Sequence, residues 1–337
     1  MADHIEDVDI EEITASYEEL TELEKEFDDV ETEIIRQQVS LTKPLYEKRE
    51  KLVAKIPNFW PLVFEQAPPE VDQYIQPTDS AVLLSSLSSI SVSHFEIENG
   101  GKGDPRSVAI KMEFTDNEYF EDKVLEKKFW YRRSQDGDTA LVSEPVPIKW
   151  KEGKDLTQGM LDLVVKVWNQ DKKKGPANGE SKKIKKEADY TPDEKALKEK
   201  IDATGLGAVS FFAWFGFRGL DISEEESRVA TEEEQKKRAE RAAGKLPELK
   251  DVSEEDEDED DEEDPFALEI FPDGDELAIA FSDDLWPGAI KYFTQAQEGD
   301  ILSDVDFEDD DEEMGEGENG EEGEGENAQP PSKKQKK

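Results

Sequence analysis

The sequence has 337 residues, of which 42 are Lys or Arg and 87 are Asp or Glu, so its formal net charge is −45. Phosphate repels a surface of that charge, which excludes strong direct nucleic-acid binding and favours basic polypeptides as partners. The chain has no cysteine, which excludes disulfides, thiolate metal sites and cysteine nucleophiles and fits a reducing intracellular compartment.

The N-terminal 1–10 segment is acidic and lacks an apolar stretch, so we expect no secretory signal there. The apolar fraction of 34% is low for a globular protein. It indicates a folded core diluted by disordered acidic tracts. The longest apolar run, near Phe211–Phe217, is far shorter than a membrane span, so no membrane association is expected.

Residues 11–57 are predicted to form one long dimerisation helix. Apolar side chains recur with the heptad spacing of a coiled coil, namely Ile13, Leu20, Leu23, Phe27, Val30, Ile34 and Leu41. At 1.5 Å per residue such a helix is about 65 Å long, too long to bury its stripe on one small domain. The pattern therefore predicts a homodimer through the long helix, with packing on its own domain as the alternative. Pro44 is expected to kink the helix or end its first segment.

A domain covering 58–300 is expected to follow. Period-two alternation predicts four consecutive strands, which favours an antiparallel sheet; they are expected at 90–97, 108–114, 125–132 and near Val146, Ile148 and Trp150. Helices follow, one capped by Asp155 and two with the capping-box pattern, at Thr191–Glu194 and Ser223–Glu226. The fold class is therefore α+β.

Three segments are expected to lie outside the packed core. A flexible basic loop is predicted at 170–190, and an acidic insertion at 250–265. A disordered acidic tail at 301–337 ends in a basic cluster. The lysines of that cluster suit a nuclear localisation signal, the alternative being a basic end that folds back on the tail; they are Lys333, Lys334, Lys336 and Lys337.

Several stretches, in order along the chain, resemble the nucleosome assembly protein (NAP) family and its SET-type branch. They are PLYEKREKLVAKIPNFW at 44–60, DNEYFEDK at 116–123, IKWKEGKDLT at 148–157, SFFAWF at 210–215 and DELAIAFSDDLWPGAIKYF at 275–293. The resemblance implies a homodimeric histone chaperone whose "earmuff" domain binds core histones on its underside. The insertion at 251–264 departs from the SET pattern.

Candidate histone-binding residues are carboxylates that can form charge-assisted hydrogen bonds with Lys and Arg. They are Asp221, Glu224, Glu225, Glu226, Asp283 and Asp284 on the expected domain, Glu254, Glu255 and Asp256 in the insertion, and Asp309, Asp310 and Asp311 in the tail. The resemblance places Asp283 and Asp284 near the same underside as the Glu224 cluster. The alternative is that Glu224, Glu225 and Glu226 only favour the helix dipole or form a solvated face.

The aromatic residues at 211–217 could form a base-stacking platform, but we interpret them as core. No nucleotide-binding or hydrolase motif is present, and we expect neither enzymatic activity nor a cofactor or metal. The predicted function is histone binding that shields histones from non-specific DNA contacts and assists nucleosome assembly, in the nucleus with possible exchange to the cytoplasm. Alternatives are an adaptor or inhibitor acting on a histone acetyltransferase or a phosphatase, and a low-affinity calcium buffer.

Overall fold

The structure, a computed structural model, describes residues 10–174, 186–205, 209–242 and 264–298. Its helices are α1 (Ile10–Val53), α2 (Phe59–Glu65), α3 (Pro69–Asp72), α4 (Pro77–Ser86), α5 (Met160–Lys174), α6 (Pro192–Thr204), α7 (Glu224–Ala242), α8 (Gly274–Ala280) and α9 (289–298). Its strands are β1 (Leu87–Ser93), β2 (Val108–Phe114), β3 (Val124–Arg133) and β4 (Thr139–Ser143). The order of parts is that of the predicted α+β fold.

The long helix α1 runs without a break past Pro44, so the expectation that it would end its first segment there was wrong. Because proline has no backbone N–H, Pro44 cannot donate the helical hydrogen bond to the Ser40 carbonyl. Ser40 and Pro44 are both exposed, and water can therefore satisfy that carbonyl. The helix ends at Val53, shortly before Pro57.

The helix α1 has two different faces. The heptad stripe is exposed: Leu20 57%, Leu23 45%, Phe27 62%, Val30 56%, Ile34 56% and Leu41 73%. The side chain of Ile13 lies outside the described residues. The face toward the domain is mostly polar or aromatic and includes Thr42, Tyr46 and Arg49. The predicted apolar seam is thus not used against the chain's own domain.

The four strands form one antiparallel sheet in the order β1-β2-β3-β4, as predicted for a meander. The predicted first strand was placed a few residues too late, because the chain turns after Ser93 with the Ile97 amide donating to the His94 carbonyl. The inner face carries the core of the sheet, including Ile90, Ile110 and Phe129.

The fourth strand was predicted in the wrong place. Strand β4 lies at Thr139–Ser143, after a short turn in which Gly137 has φ 99° and the Ser134 amide donates to the Asp138 carbonyl. The alternating residues Val146, Ile148 and Trp150 belong to no strand of the sheet and make their contacts elsewhere. The Val146 amide donates to the Phe215 carbonyl, and Trp150 forms an isolated bridge with Phe120.

The aromatic segment at 211–217 is core, as interpreted from the sequence. It forms a 3₁₀ turn, Phe211–Gly216, whose residues are all buried. The buried carboxylate of Asp79 holds its start by accepting from the Phe211 amide (2.7 Å) and the Ser210 hydroxyl (2.5 Å). Such a segment offers no exposed ring for a nucleic-acid base.

Each of the three predicted helix starts is seen in detail. At the start of α6, Thr191 accepts from the Glu194 amide and the Glu194 carboxylate accepts from the Thr191 amide, which completes the predicted capping box. At the start of α7, the Glu226 amide donates to the Ser223 hydroxyl at 3.1 Å. The prediction that Asp155 caps the following helix was wrong, because α5 begins only at Met160; Asp155 accepts from the Thr157 and Gly159 amides and orders the turn before it.

Candidate binding surface

The first group of predicted carboxylates lies at the start of α7. Asp221, Glu224 and Glu225 are exposed and Glu226 is half-buried. Carboxylates at this end of a helix are favoured by its dipole. The guanidinium of Arg228 donates to Glu225 and lowers the pKa of that carboxyl. Glu225 is therefore partly neutralised within its own helix, whereas Glu224 projects an unshielded charge from the first turn of α7.

The second group, Asp283 and Asp284, lies in a wide turn at Phe281–Leu285 between α8 and α9. The buried side chains of Phe281 and Leu285 fix this turn on the core. The phenol of Tyr292 donates to both Asp284 carboxylate oxygens, at 2.8 and 2.9 Å. Burial and the nearby Asp284 raise the pKa of Tyr292 to about 12. Asp283 is exposed and accepts only from the neighbouring Ser282 hydroxyl among the described residues.

The structure holds the two groups at distant points of the sheet. The Arg133 amide of β3 donates to Ser227 of α7, while the Trp286 indole donates to the Ile90 carbonyl of β1. Ile90 pairs with Met112, and Met112 with Leu125, which is eight residues before Arg133. At about 3.3 Å per residue and 4.8 Å per strand, the two anchor points are roughly 25–30 Å apart. The six carboxylates therefore form two surfaces and not one cluster.

Other predicted residues cannot be placed. Part of the basic loop (175–185), most of the acidic insertion (250–263) and the tail lie outside the described residues. The same holds for the candidates Glu254, Glu255, Asp256, Asp309, Asp310 and Asp311 and for the lysines Lys333, Lys334, Lys336 and Lys337.

Sequence reasoning missed a groove between α1 and the β1 side of the sheet. Its cavity measures about 920 Å³, at the upper end of the range of ligand-binding clefts. One wall is α1, which lines the groove with polar and aromatic side chains and with Ile35 and Val39, and the other is β1, with its serines and with Ile90 and Val92. Asp283 and Trp286 close one end, and Arg106 and Tyr131 line the sheet side. No local sequence pattern reports this groove, because it depends on how α1 lies across the domain.

Two charged residues, Lys127 and Glu269, are buried in the core of the domain. The Lys127 ammonium donates to the carbonyls of Phe217 (2.9 Å), Glu144 (3.1 Å) and Phe215 (3.2 Å). Burial lowers the pKa of Lys127 to about 7, against the opposing effect of Glu269. Burial likewise raises the pKa of Glu269, whose carboxylate accepts from the Arg218 amide. Both side chains tie the aromatic segment and its C-terminal end to their neighbours.

The described part of the chain holds no group of three or more His, Asp or Glu side chains placed to bind a metal ion. None of its helices within 10–174, 186–205, 209–242 and 264–298 is long and apolar enough to cross a membrane.

Comparison with known proteins gives one family. The model of the family described as nucleosome assembly protein (NAP) matches residues 53–296. Protein SET of Drosophila melanogaster is 35% identical over 156 residues, which are 45% of this chain and 54% of that protein. Vacuolar protein sorting-associated protein 75 of Saccharomyces cerevisiae is 25% identical over 308 residues, 88% of this chain and 87% of that protein.

A crystal structure of Vps75 has a TM-score of 0.50 with this chain at 23% identity, and the match covers 84% of this chain and 99% of that one. It supports the fold alone. A Schizosaccharomyces pombe protein assigned to the nucleosome assembly proteins is 38% identical over 155 residues, 43% of this chain and 61% of that protein. The chain thus spans little more than half the length of the Drosophila and Schizosaccharomyces relatives.

Proposed function

This chain belongs to the nucleosome assembly protein family, and we propose that it is a histone chaperone that binds core histones through its acidic surfaces and assists nucleosome assembly. Bound carboxylates mask histone charge and suppress non-specific contacts with DNA. Release onto DNA needs no nucleotide, because DNA is the more highly charged competitor. We propose no enzymatic step.

The observation that carries the proposal is that the fold displays carboxylates while its nearby cations are already engaged. Glu224 and Asp283 are exposed and make no ion pair with another described residue. On α7, Arg228 bonds Glu225 and Glu232, and Arg238 bonds Glu22 and Asp29. These arginines therefore leave an excess of negative charge for a basic partner.

The separation of the two acidic surfaces bears on the size of that partner. A partner that contacts both surfaces at once spans roughly 25–30 Å, which a folded body or an extended segment of about nine residues can do. The two surfaces thus favour a partner that carries basic side chains at two separate points over a short basic peptide.

We further propose that the chain acts as a homodimer joined by the exposed stripe of α1. Exposed fractions of 45–73% along Leu20, Leu23, Phe27, Val30, Ile34 and Leu41 leave an apolar face without a partner among the described residues. A heptad face of this length is buried in coiled coils by a second helix. Dimerisation doubles the number of acidic surfaces available to one histone assembly.

The test is a salt titration of core-histone binding to the full chain. The variant E224Q/E226Q/D283N is expected to bind about tenfold more weakly at 0.15 M salt and to show a shallower salt slope. Its matched control is D136N/E152Q/E199Q, which removes three exposed carboxylates elsewhere. Equal affinity of all three proteins would refute the proposed surfaces, and absence of histone binding by the unmodified chain would refute the function.

The insertion and the tail are proposed to add capture by counter-ion release. Deleting 251–264 and 301–331 is expected to weaken histone binding mainly at low salt. The basic end, 332–337, is proposed to direct nuclear import. Transfer of these six residues to a cytosolic reporter tests that role, and an unchanged cytosolic distribution would contradict it.

A further inference from the structure

The two edges of the sheet are treated differently by the fold. At the β4 edge, the Ser143 amide donates to the Arg218 carbonyl, and the Val146 amide just beyond it to the Phe215 carbonyl, so the chain around 215–218 covers that edge. At the β1 edge lies the groove, and the described part of α1 makes no side-chain hydrogen bond or ion pair with β1. The β1 edge is therefore the open edge of this sheet.

The backbone of β1 presents groups toward the groove. The Ile90 carbonyl accepts the indole N–H of Trp286 at 3.2 Å, and Trp286 lines the groove. In an antiparallel ladder the backbone groups of alternate residues point away from the paired strand. The N–H and C=O of Val92 therefore point to the same side as the Ile90 carbonyl, and no described residue outside the sheet bonds them.

The side chains of β1 do not protect this edge. Exposed edges are usually blocked by Lys, Pro or a bulge. Here the core residues Ile90 and Val92 are each followed by a serine, Ser91 and Ser93. The one irregularity of register, between Leu87 and Ser89, precedes this stretch and leaves Ile90–Ser93 regularly paired.

The wall of α1 opposite β1 sets the chemistry of an occupant. Glu47 and Glu50 line the groove, are exposed and form no ion pair with another described residue. Asp283 lies at one end. Among the cations of the lining, Lys43 pairs with Glu98 and Arg106 with Asp104, whereas Arg49 bonds two neutral carbonyl oxygens and keeps its charge against these three carboxylates. The uncompensated charge in the groove is thus negative.

We propose that the groove binds an extended basic segment of a partner polypeptide, which adds to β1 as a fifth strand and places Lys or Arg side chains against Glu47, Glu50 and Asp283. Main-chain bonds to an open edge supply affinity, and side-chain pockets supply selectivity, in peptide recognition by strand addition. This inference rests on the proposed function in that a histone tail is the natural source of such a segment.

The experiment uses the full chain and a synthetic ten-residue peptide that alternates Lys or Arg with small residues. A second peptide of the same sequence carries N-methyl groups on alternate backbone amides, which removes main-chain donors and keeps the charge. The unmodified peptide is expected to slow amide hydrogen exchange in 87–94 and to bind about tenfold more tightly than the methylated one. Equal binding of the two peptides, or no protection of 87–94, would overturn strand addition.

Charge-reversal variants test the acidic wall. E47K/E50K is expected to weaken binding of the unmodified peptide by about tenfold, while the control E121K/E152K, whose exposed carboxylates lie away from the groove, leaves it unchanged. Core-histone binding is measured in parallel. Histone binding without protection of 87–94 refutes only the groove, whereas protection of 87–94 by the peptide without histone binding refutes the chaperone function and supports the groove.

Discussion

The guanidinium of Arg49 donates a hydrogen bond of 2.6 Å to the carbonyl oxygen of Trp286 and lies 4.7 Å from the centre of its indole ring. The Tyr46 ring, whose centre lies 3.9 Å from that of the Trp286 ring, is 4.6 Å from the same guanidinium, and the Pro287 carbonyl accepts a second bond at 3.2 Å. This contact fastens the long helix to the Asp283–Pro287 segment, and so fixes the width of the groove at one end.

The first prediction concerns this fastening. Arg49→Ala removes charge-assisted hydrogen bonds and a cation–π contact and is expected to lower the free energy of unfolding by about 2–3 kcal/mol. Arg49→Lys keeps the charge but loses the planar, forked guanidinium. Its free energy of unfolding should therefore lie between those of the unmodified chain and Arg49→Ala. Urea denaturation followed by tryptophan fluorescence measures both. Lys48→Ala, an exposed neighbour on α1, is the control and should change stability by less than about 0.5 kcal/mol.

Much of the fold follows from the sequence, for reasons that the residues make clear. The heptad stripe from Leu20 to Leu41 and the alternation at 108–114 are local and long enough to fix helix and strand. The fourth strand was misplaced because Val146, Ile148 and Trp150 alternate as the residues of a strand do. In the structure Val146 bonds the 3₁₀ segment, and Trp150 forms an isolated bridge. The short run Thr139–Ser143 is recognisable only through the turn at Gly137.

The candidate surfaces were less predictable. The individual carboxylates are predicted from charge alone, but their division into two surfaces depends on the pairing of β1, β2 and β3, which no local pattern encodes. Arg228 also partly neutralises Glu225, and the Tyr292 phenol occupies hydrogen-bond acceptor positions on Asp284. The contact between Arg49 and Trp286 joins residues 237 positions apart, so it too was invisible in the sequence.

A second prediction concerns the contact between α7 and the N-terminal half of α1. Arg238 bonds Glu22 at 2.7 Å and Asp29 at 2.9 Å, and Lys25 pairs with Glu234. These side chains are about a quarter exposed or more, so each pair is worth only about 0.2–1 kcal/mol and is screened by salt. Arg238→Ala is expected to speed hydrogen exchange in α7 at 0.05 M salt, and to have little effect at 0.5 M.

The matched control for that contact is Arg228→Ala. Arg228 forms its ion pairs with Glu225 and Glu232 inside α7, so its loss weakens the helix without touching α1. Faster exchange at residues 20–30 of α1 is therefore expected in Arg238→Ala alone. The same change at 20–30 in both variants would contradict a specific contact between the two helices.

A third prediction concerns the apolar stripe of α1. Phe27→Glu places a charge on the proposed dimer seam and removes a side chain that is 62% exposed in the single chain. Each substitution acts twice in a dimer, so the expected loss is about 3–6 kcal/mol per dimer. Analytical ultracentrifugation should then find a monomer at micromolar concentration. The control Val124→Glu, at an exposed β3 residue (45%), should leave the oligomeric state unchanged; a monomeric unmodified chain would contradict the seam.

A fourth prediction follows from the buried ammonium of Lys127, whose pKa burial lowers to about 7. Between about pH 7 and the ordinary lysine value of 10.5, the unfolded chain binds a proton that the folded chain lacks. Stability therefore rises with pH across this window, by at most about 1.4 kcal/mol per pH unit. The gain in the free energy of unfolding is complete above pH 10.5 and is lost as the pH falls to about 7. Below pH 7, Lys127 no longer makes the free energy of unfolding depend on pH.

Lys127→Met isolates this effect, because it removes the titrating group and keeps most of the side-chain volume. The difference in free energy of unfolding between the unmodified chain and Lys127→Met, measured in urea at pH 7, 8 and 9, is expected to grow with pH in favour of the unmodified chain. The control is Lys128→Met, at the partly exposed neighbour whose ammonium pairs with Glu126. Its free energy of unfolding should change with pH in the same way as that of the unmodified chain. Parallel curves for Lys127→Met would mean that Lys127 keeps its proton in the folded state, held there by the carbonyls of Glu144, Phe215 and Phe217.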